Sequence, residues 1–332
     1  MTATASDTDA GAEVLADAVA DYLALRRALG HQLQAEGMLL ERFARFAAAR
    51  GETRVTVETA VSWSALGTSP PEIARRLSML RRFATYRAAF DPDTEIPPER
   101  LVAPGVTRRA PYIYTASEIT DLIETARALA TPSSPLFGTS LATLIGLMAA
   151  TGIRTSEVLR LDRTDVEHNV EHTAGTLLIR YSKYGKSRRI PLHRSTVDAL
   201  ADYDHQRDRL CPTPLDDGLL IGTDGRRLRA RQTGTTFARL LAELGITVAP
   251  GRRSPVLHDL RHTFAVTTLI GWHRQGLDVT ARLPLLSLYL GHVNPAHTYW
   301  YLQAVPELMS VLADRLEDHL DHELAARAGA RR

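Results

Sequence analysis

The stretch TLLIRYSKYGKSRRIPLH, residues 176–193, limits the fold more than any other part of the chain. Two runs rich in β-formers, Leu177 to Tyr181 and Arg188 to Leu192, flank a polar turn containing Gly185. That is a hairpin pattern. It interrupts a sequence whose apolar residues otherwise recur at helical spacing. The expected class is therefore mostly α with a small β-hairpin or sheet, an α+β fold.

The helical reading starts early. In EVLADAVADYLALRRALG the apolar residues Leu15, Val19, Tyr22 and Leu23 recur at three and four, and Gly30 stops the run. A second helix is expected around EGMLLERFARFAAAR, stopped at Gly51. Another, PPEIARRLSMLRRFATYRAAF, is opened by prolines. Its arginines, Arg75, Arg76, Arg81, Arg82 and Arg87, form a basic stripe, read either as a solvated face or as a surface for phosphates. Pro92, Pro97, Pro98 and Pro104 then mark an aperiodic linker within residues 91–113. This divides the chain into a helical domain (1–100), a linker (101–113) and a second domain (114–332), with Thr115 or Ser117 capping the latter's first helix.

Composition narrows the setting. No apolar run reaches the roughly 18–20 residues of a membrane span. The N-terminus is acidic, and Cys211 is the only cysteine. A soluble, cytoplasmic protein without disulfides is expected. The net charge of +2 favours no partner. Of 40 basic residues only two, Lys183 and Lys186, are lysines, and both lie in the hairpin turn. Lysine can release a proton where arginine does not, so these two are candidate proton donors.

Four motifs carry possible chemistry. In ATGIRTSEVLRL an apolar helix stops at Gly152 and another begins near Thr155. Arg154 sits at that junction, with Glu157 placed to pair with it or to cap the second helix. In the hairpin, GKS at 185–187 resembles the end of a nucleotide-binding loop, but that motif needs glycine where Arg180 stands, so no ATP or GTP site is expected. In HDLRHTFA, His258 and His262 are four apart and share a helical face, as do His258 and Arg261 at three. The first pair suits a metal and the second a phosphate. A zinc hydrolase would need glutamate at Asp259, and a metal would have to tolerate the cation of Arg261 beside it. No metal is expected. Finally, LSLYLGHVNPAHTYWYLQ closes a short helix at Leu290 and Gly291, continues with His292, and ends in Tyr299, Trp300 and Tyr301.

In this order the motifs resemble the active site of the tyrosine recombinases, the phage integrase family. The family pattern is T-G-[LI]-R-x-x-E-x-x-x-L, a hairpin lysine, H-x-L-R-H-[ST]-x-A, L-G-H, and a tyrosine nine residues on. Here it reads Thr151, Gly152, Ile153, Arg154, Glu157 and Leu161; Lys183; His258, Leu260, Arg261, His262, Thr263 and Ala265; Leu290, Gly291 and His292; and Tyr301. The likeness spans about residues 115–305 and, more weakly, the helical N-terminal segment. Two details depart from it. SKYGKSR replaces G-K-G-x-K-x-R, with Lys183 aligned to the catalytic lysine and Lys186 the runner-up; and NPAHTYWY lacks the usual T-T pair.

The resemblance implies metal- and ATP-independent strand transfer on double-stranded DNA, without a cofactor. It implies Arg154, Lys183, His258, Arg261, His292 and Tyr301 as catalytic residues, with Glu157 and His262 supporting. Arg75, Arg76, Arg81, Arg82, Lys186 and Arg188 are the expected DNA contacts. Leu308, Leu312, Leu316 and Leu320 give the C-terminal segment an amphipathic pattern. By resemblance this helix docks on a neighbour within a homotetramer on synapsed sites, with no membrane and no nucleotide as partner, and the protein associates with the nucleoid through DNA. The competing readings are a type IB topoisomerase-like enzyme and a catalytically inactive DNA-binding protein of the same fold.

Overall fold

The structure, a computed structural model, describes residues 5–31, 33–99, 101, 111–129, 134–168, 174–180, 187–248, 253–292 and 298–299. The chain divides into two compact units, Met1–Arg109 and Ala110–Arg332.

The first unit contains α1 (Ala5–Ala28), α2 (Gln34–Ala48), α3 (Val57–Ser64) and α4 (Pro70–Arg87). The apolar spacing in α1 puts Leu15, Val19, Tyr22 and Leu23 into a core with Leu40, Phe43, Trp63, Leu80 and Phe83. Tyr22 meets Phe83 edge-on at 5.5 Å, and Phe43 meets Trp63 the same way at 5.5 Å. Gly30 and Gly51 follow α1 and α2 at φ 86° and 71°, the left-handed stop their sequences suggest. The prolines opening α4 occupy its first turn, where the missing N–H costs nothing.

Residues 91–99, expected as the start of a linker, are tied back to this unit. Glu95 donates its N–H to the Val55 carbonyl at 2.9 Å and accepts from the Val57 N–H at 2.7 Å. Arg81 donates to the carbonyls of Pro97 and Pro98 at 2.8 and 2.6 Å. Lack of periodicity marked this stretch as irregular, and irregular backbone can still be held by cross-links.

The second unit opens with α5 (Ala116–Ala128), capped by Thr115 in a reciprocal pair with Glu118. It continues with α6 (Phe137–Thr151), α7 (Thr155–Val158), β1 (Val166–His168), β2 (Gly175–Ile179), β3 (Arg188–Leu192), α8 (Arg194–Leu210), α9 (Ala230–Glu243), α10 (Asp259–Arg274) and α11 (Val279–Leu290). The sheet is antiparallel in the order β1-β2-β3, with Val166 opposite Leu177 and Leu177 opposite Ile190. The hairpin thus carries a third strand, three residues long and half-exposed, too short to show alternation in sequence. The turn at 181–186 lies outside the described residues.

α6 carries no charge and buries most of its surface, leaving a stripe through Thr139, Thr143, Gly146 and Ala150 partly exposed. Leu141, Leu144, Ile145 and Met148 of α6 share one core with Leu177, Ile179, Ile190 and Leu260. In two helices of this unit a left-handed glycine is itself the C-cap. α6 stops at Gly152 with φ 62°, and α11 stops at Gly291 with φ 68°. No helix of the described residues is long and apolar enough to cross a membrane.

Candidate active site

A helix ends with carbonyls that have no partner within it, and its dipole makes that end a weak anion. The C-terminus of α11 meets this demand with arginines. The carbonyl of Tyr289 accepts from Arg188 Nε at 2.9 Å. The next, Leu290, accepts from Arg261 Nη2 at 2.7 Å, and Gly291 accepts from Arg154 Nη2 at 2.8 Å. Three successive carbonyls thus gather three cations from β3, α10 and the α6–α7 junction.

Each arginine has a second anchor. Arg261, only 1% exposed, also donates through Nη1 to the Gly152 carbonyl at 2.8 Å. The helical spacing of HDLRHTFA put Arg261 on one face with His258, as a pair suited to a phosphate; in the structure it is among the largest fully buried side chains. Burying a cation is costly unless strong acceptors surround it, and the two carbonyls orient it without neutralising it. Arg154 precedes α7, and Glu157 serves both functions its position suggested. Its Oε2 accepts from the Arg154 N–H at 3.0 Å, and its Oε1 from Arg154 Nη1 at 2.8 Å.

Glu157 is buried, and it also holds Arg188 in a two-point pair. Nη1 reaches Oε1 at 3.1 Å and Nη2 reaches Oε2 at 2.8 Å. Burial alone would raise the Glu157 carboxyl, but the hydrogen bonds and charge of Arg188, followed by those of Arg154, outweigh it and hold the pKa down at about 2. The carboxylate is therefore ionised throughout the neutral range.

Arg188 was expected as a DNA contact, and the structure gives its guanidinium partners within the protein. Its side chain is 14% exposed and is engaged by Glu157 and the Tyr289 carbonyl. The stripe on α4 is also divided. Arg76 is paired with Glu72 at 2.6 Å and lies 4.9 Å over the Trp63 ring, and Arg81 is bound to the proline carbonyls. Arg82 pairs with Glu36 at 3.0 Å on an exposed surface, and Arg75 is exposed. A stripe read from spacing alone does not show which cations the protein itself uses.

Glycine at the two helix ends permits close approach. A Cβ on Gly152 would stand 2.4 Å from Phe264 Cδ1, and one on Gly291 would stand 2.9 Å from Arg188 Nη1. Phe264 stacks on Tyr289 at 5.6 Å. Burial pushes the Tyr289 phenol up to about 12, against the opposing charge of Arg188, so this tyrosine keeps its proton.

The histidines flank this cluster. His258 precedes α10 and meets His262 edge-on, with ring centroids 5.0 Å apart. The segment leading into α10 is fixed by Asp259, which accepts from the Val256 N–H at 2.8 Å and pairs with Arg253. His292 donates its N–H to the Ser287 carbonyl at 2.9 Å, and its Nδ1 shares a hydrogen bond with Thr298 Oγ1 at 2.7 Å. Thr298 is fully buried and was not among the sequence-based candidates. Its only sequence signal was a hydroxyl six residues past His292. Tyr299 is 42% exposed. Lys183, Lys186, Tyr301 and the C-terminal segment lie outside the described residues. Among the described residues, no group of three or more His, Cys, Asp or Glu is arranged to hold a metal.

The phage integrase family model matches residues 114–307, more than half of the chain. The chain belongs to the phage integrase family. Its relatives extend beyond that region. The protein y4rB of Sinorhizobium fredii, which carries an integrase/recombinase name, is 37% identical over 305 residues, covering 90% of this chain and 96% of the relative. Tyrosine recombinase XerD of Caulobacter vibrioides is 29% identical, over 89% of this chain and 93% of the relative. Among solved structures, the site-specific recombinase XerH in a post-cleavage complex with palindromic difH substrate has a TM-score of 0.61 at 19% identity, covering 85% of this chain and 79% of that one. The Tn1549 transposon integrase bound to transposon right-end DNA has a TM-score of 0.60 at 17% identity, covering 92% and 99%. These two likenesses establish the fold of this integrase-family protein.

Proposed function

We propose that the protein is a site-specific DNA recombinase that cleaves and rejoins DNA strands through a 3′-phosphotyrosine intermediate, in integration, excision or transposition. The observation that carries this reading is the pair of arginines held at the end of α11. Arg154 and Arg261 are fixed by neighbouring carbonyls, Gly291 and Leu290, with His292 next in the chain. Attack on a phosphodiester builds negative charge on the non-bridging oxygens, and preorganised guanidinium groups stabilise that charge.

The remaining roles come from the chemistry of each group. Tyr301 attacks phosphorus, forming the O–P bond of the phosphotyrosine as the bond to the 5′-oxygen breaks. A phenol has a pKa near 10, so His258, with His262 beside it, accepts the proton as attack proceeds. His292, oriented by Thr298, donates to a non-bridging oxygen. Lys183, or Lys186 in its place, protonates the departing 5′-oxygen. A 5′-hydroxyl of another strand then reverses these steps, and because the phosphotyrosine retains the phosphodiester's energy, the cycle uses neither ATP nor metal. The segment 1–100 is a DNA-clamping domain, with Arg75 and Arg82 as its contacts on α4. The C-terminal segment docks on a neighbour in a homotetramer on synapsed DNA.

Covalent trapping on a nicked DNA carrying the protein's own site tests this. The expected adduct forms in EDTA and is absent in Tyr301→Phe. An adduct that persists in Tyr301→Phe and is lost in Tyr299→Phe refutes the choice of nucleophile. Cleavage that requires added magnesium or zinc refutes the mechanism.

A further inference from the structure

Arg188 has no role in the strand-transfer chemistry proposed above, yet three hydrogen bonds hold its guanidinium at the site. Two of its N–H groups go to Glu157 and a third to the Tyr289 carbonyl. Its guanidinium lies against the backbone at Gly291, where a Cβ would come within 2.9 Å of Nη1 and 3.0 Å of Cζ. To reach a phosphate it would have to abandon Glu157, a carboxylate 2% exposed, with only Arg154 left to balance it.

Glu157 divides its hydrogen bonds evenly. Oε1 accepts from Arg154 Nη1 and Arg188 Nη1, and Oε2 accepts from the Arg154 N–H and Arg188 Nη2. Two cations share one anion, so Arg154, Arg188 and Glu157 together carry one net positive charge, beside that of Arg261. Without Arg188 the carboxylate faces Arg154 alone, and the pair is neutral. A neutral pair offers little to a phosphate gaining charge in the transition state.

We infer that Arg188 is a positioning residue for strand cleavage: it engages Glu157 so that Arg154 keeps both its orientation and an unneutralised charge toward the scissile phosphate. This rests on the recombinase reading. Arg188 acts through Glu157 and does not touch DNA. Lysine cannot reproduce the two-point pair together with the bond to Tyr289, because it presents a point charge on a flexible stem. The carboxylate belongs to this device as well, since its held-down pKa keeps it ionised and available to both arginines.

The test uses the full chain and the nicked DNA substrate, with adduct formation measured at saturating protein. Arg188→Gln is expected to slow cleavage by about 30-fold or more. DNA affinity should change by less than about twofold, and the slope of log affinity against log salt should stay the same. Adding Glu157→Gln to that variant removes the unshared anion and leaves Arg154 as the net cation. The double variant is therefore expected to cleave about tenfold faster than Arg188→Gln alone. A merely structural role is told apart by denaturant titration beside the cleavage assay: there the slow cleavage follows the loss of folded protein, whereas the charge effect persists in Arg188→Gln that is fully folded under the assay conditions.

The inference is overturned if the double variant is as slow as the single one. It is also overturned if Arg188→Gln loses about one unit of salt slope, the mark of a lost phosphate contact. If Arg188→Gln does not fold, Arg188→Lys keeps the charge count and is expected to cleave within about tenfold of the unmodified protein; a deeper loss refutes the charge argument. An unmodified protein that forms no adduct overturns the recombinase reading and this inference with it. An unmodified protein that cleaves no faster than Arg188→Gln overturns this inference alone.

Discussion

Gly152→Ala is a one-carbon change with two separable costs. The backbone there has φ 62°, a left-handed conformation that costs an L-residue ~1–2 kcal/mol. The new Cβ would also stand 2.4 Å from Phe264 Cδ1, 2.9 Å from its Cγ and 3.1 Å from Leu290 Cδ2. The ring is also stacked on Tyr289 at 5.6 Å, so moving it aside disturbs that contact. Forcing such a displacement in a packed interior costs ~1–3 kcal/mol. The expected destabilisation is about 2–5 kcal/mol, read by urea unfolding, or a Tm lower by about 5–20 °C for a unit of this size. Gly245 provides the control. Its φ is 66° and a Cβ there meets nothing within 4 Å, so Gly245→Ala carries only the backbone cost of ~1–2 kcal/mol. Gly152→Ala with Phe264→Leu removes the ring and should recover ~1–3 kcal/mol of the loss from Gly152→Ala. Equal losses for Gly152→Ala and Gly245→Ala, or no recovery in the double variant, would refute the reasoning.

Other expectations rest on single contacts. Tyr203→Phe leaves the buried Ile221 N–H and Ser140 hydroxyl without the phenol they share at 3.2 and 2.9 Å, and should cost ~1–3 kcal/mol by denaturant titration; a loss under half that range argues that water replaces the phenol. Thr298→Val removes the partner of His292 Nδ1 and should slow adduct formation about fivefold, the equivalent of one hydrogen bond of ~1 kcal/mol, with DNA affinity unchanged. Glu157 has a folded pKa of about 2, below its ordinary 4.5, so its stabilisation is full above pH 4.5 and disappears as pH falls toward 2. Unfolding free energy should therefore fall more steeply between pH 5 and 2 in the unmodified protein than in Glu157→Gln, and parallel curves would contradict the ion pair.

Much of the fold was legible in the sequence because the signals were local. Gly152 and Gly291 announced helix ends, Thr115, with Ser117 as the alternative, announced a cap, and the two β-rich runs announced two antiparallel strands. The motif residues Arg154, Glu157, Arg261 and His292 do converge. What was illegible depends on the third dimension. Arg188 and Arg81 looked like residues for a partner because a cation's own acceptors lie far along the chain: 101 residues away for the Tyr289 carbonyl, and 16 for that of Pro97. The burial of Arg261 was not legible, because periodicity treats charge as exposure, while a buried helix end can take in a guanidinium. Thr298 carried no pattern at all, and its contact with His292 is visible only in three dimensions.

The three arginines at the end of α11 are bound to main-chain oxygens, and every residue type has one. Side chains at 289 and 290 can therefore drift in evolution without removing an acceptor, and only a change in the path of the backbone does so. The same arrangement concentrates the risk. If the last turn of α11 unwinds, Arg188, Arg261 and Arg154 each lose one acceptor in the same event and are left on their second anchors, Glu157 and the Gly152 carbonyl, so fraying of a single helix end loosens all three cations together.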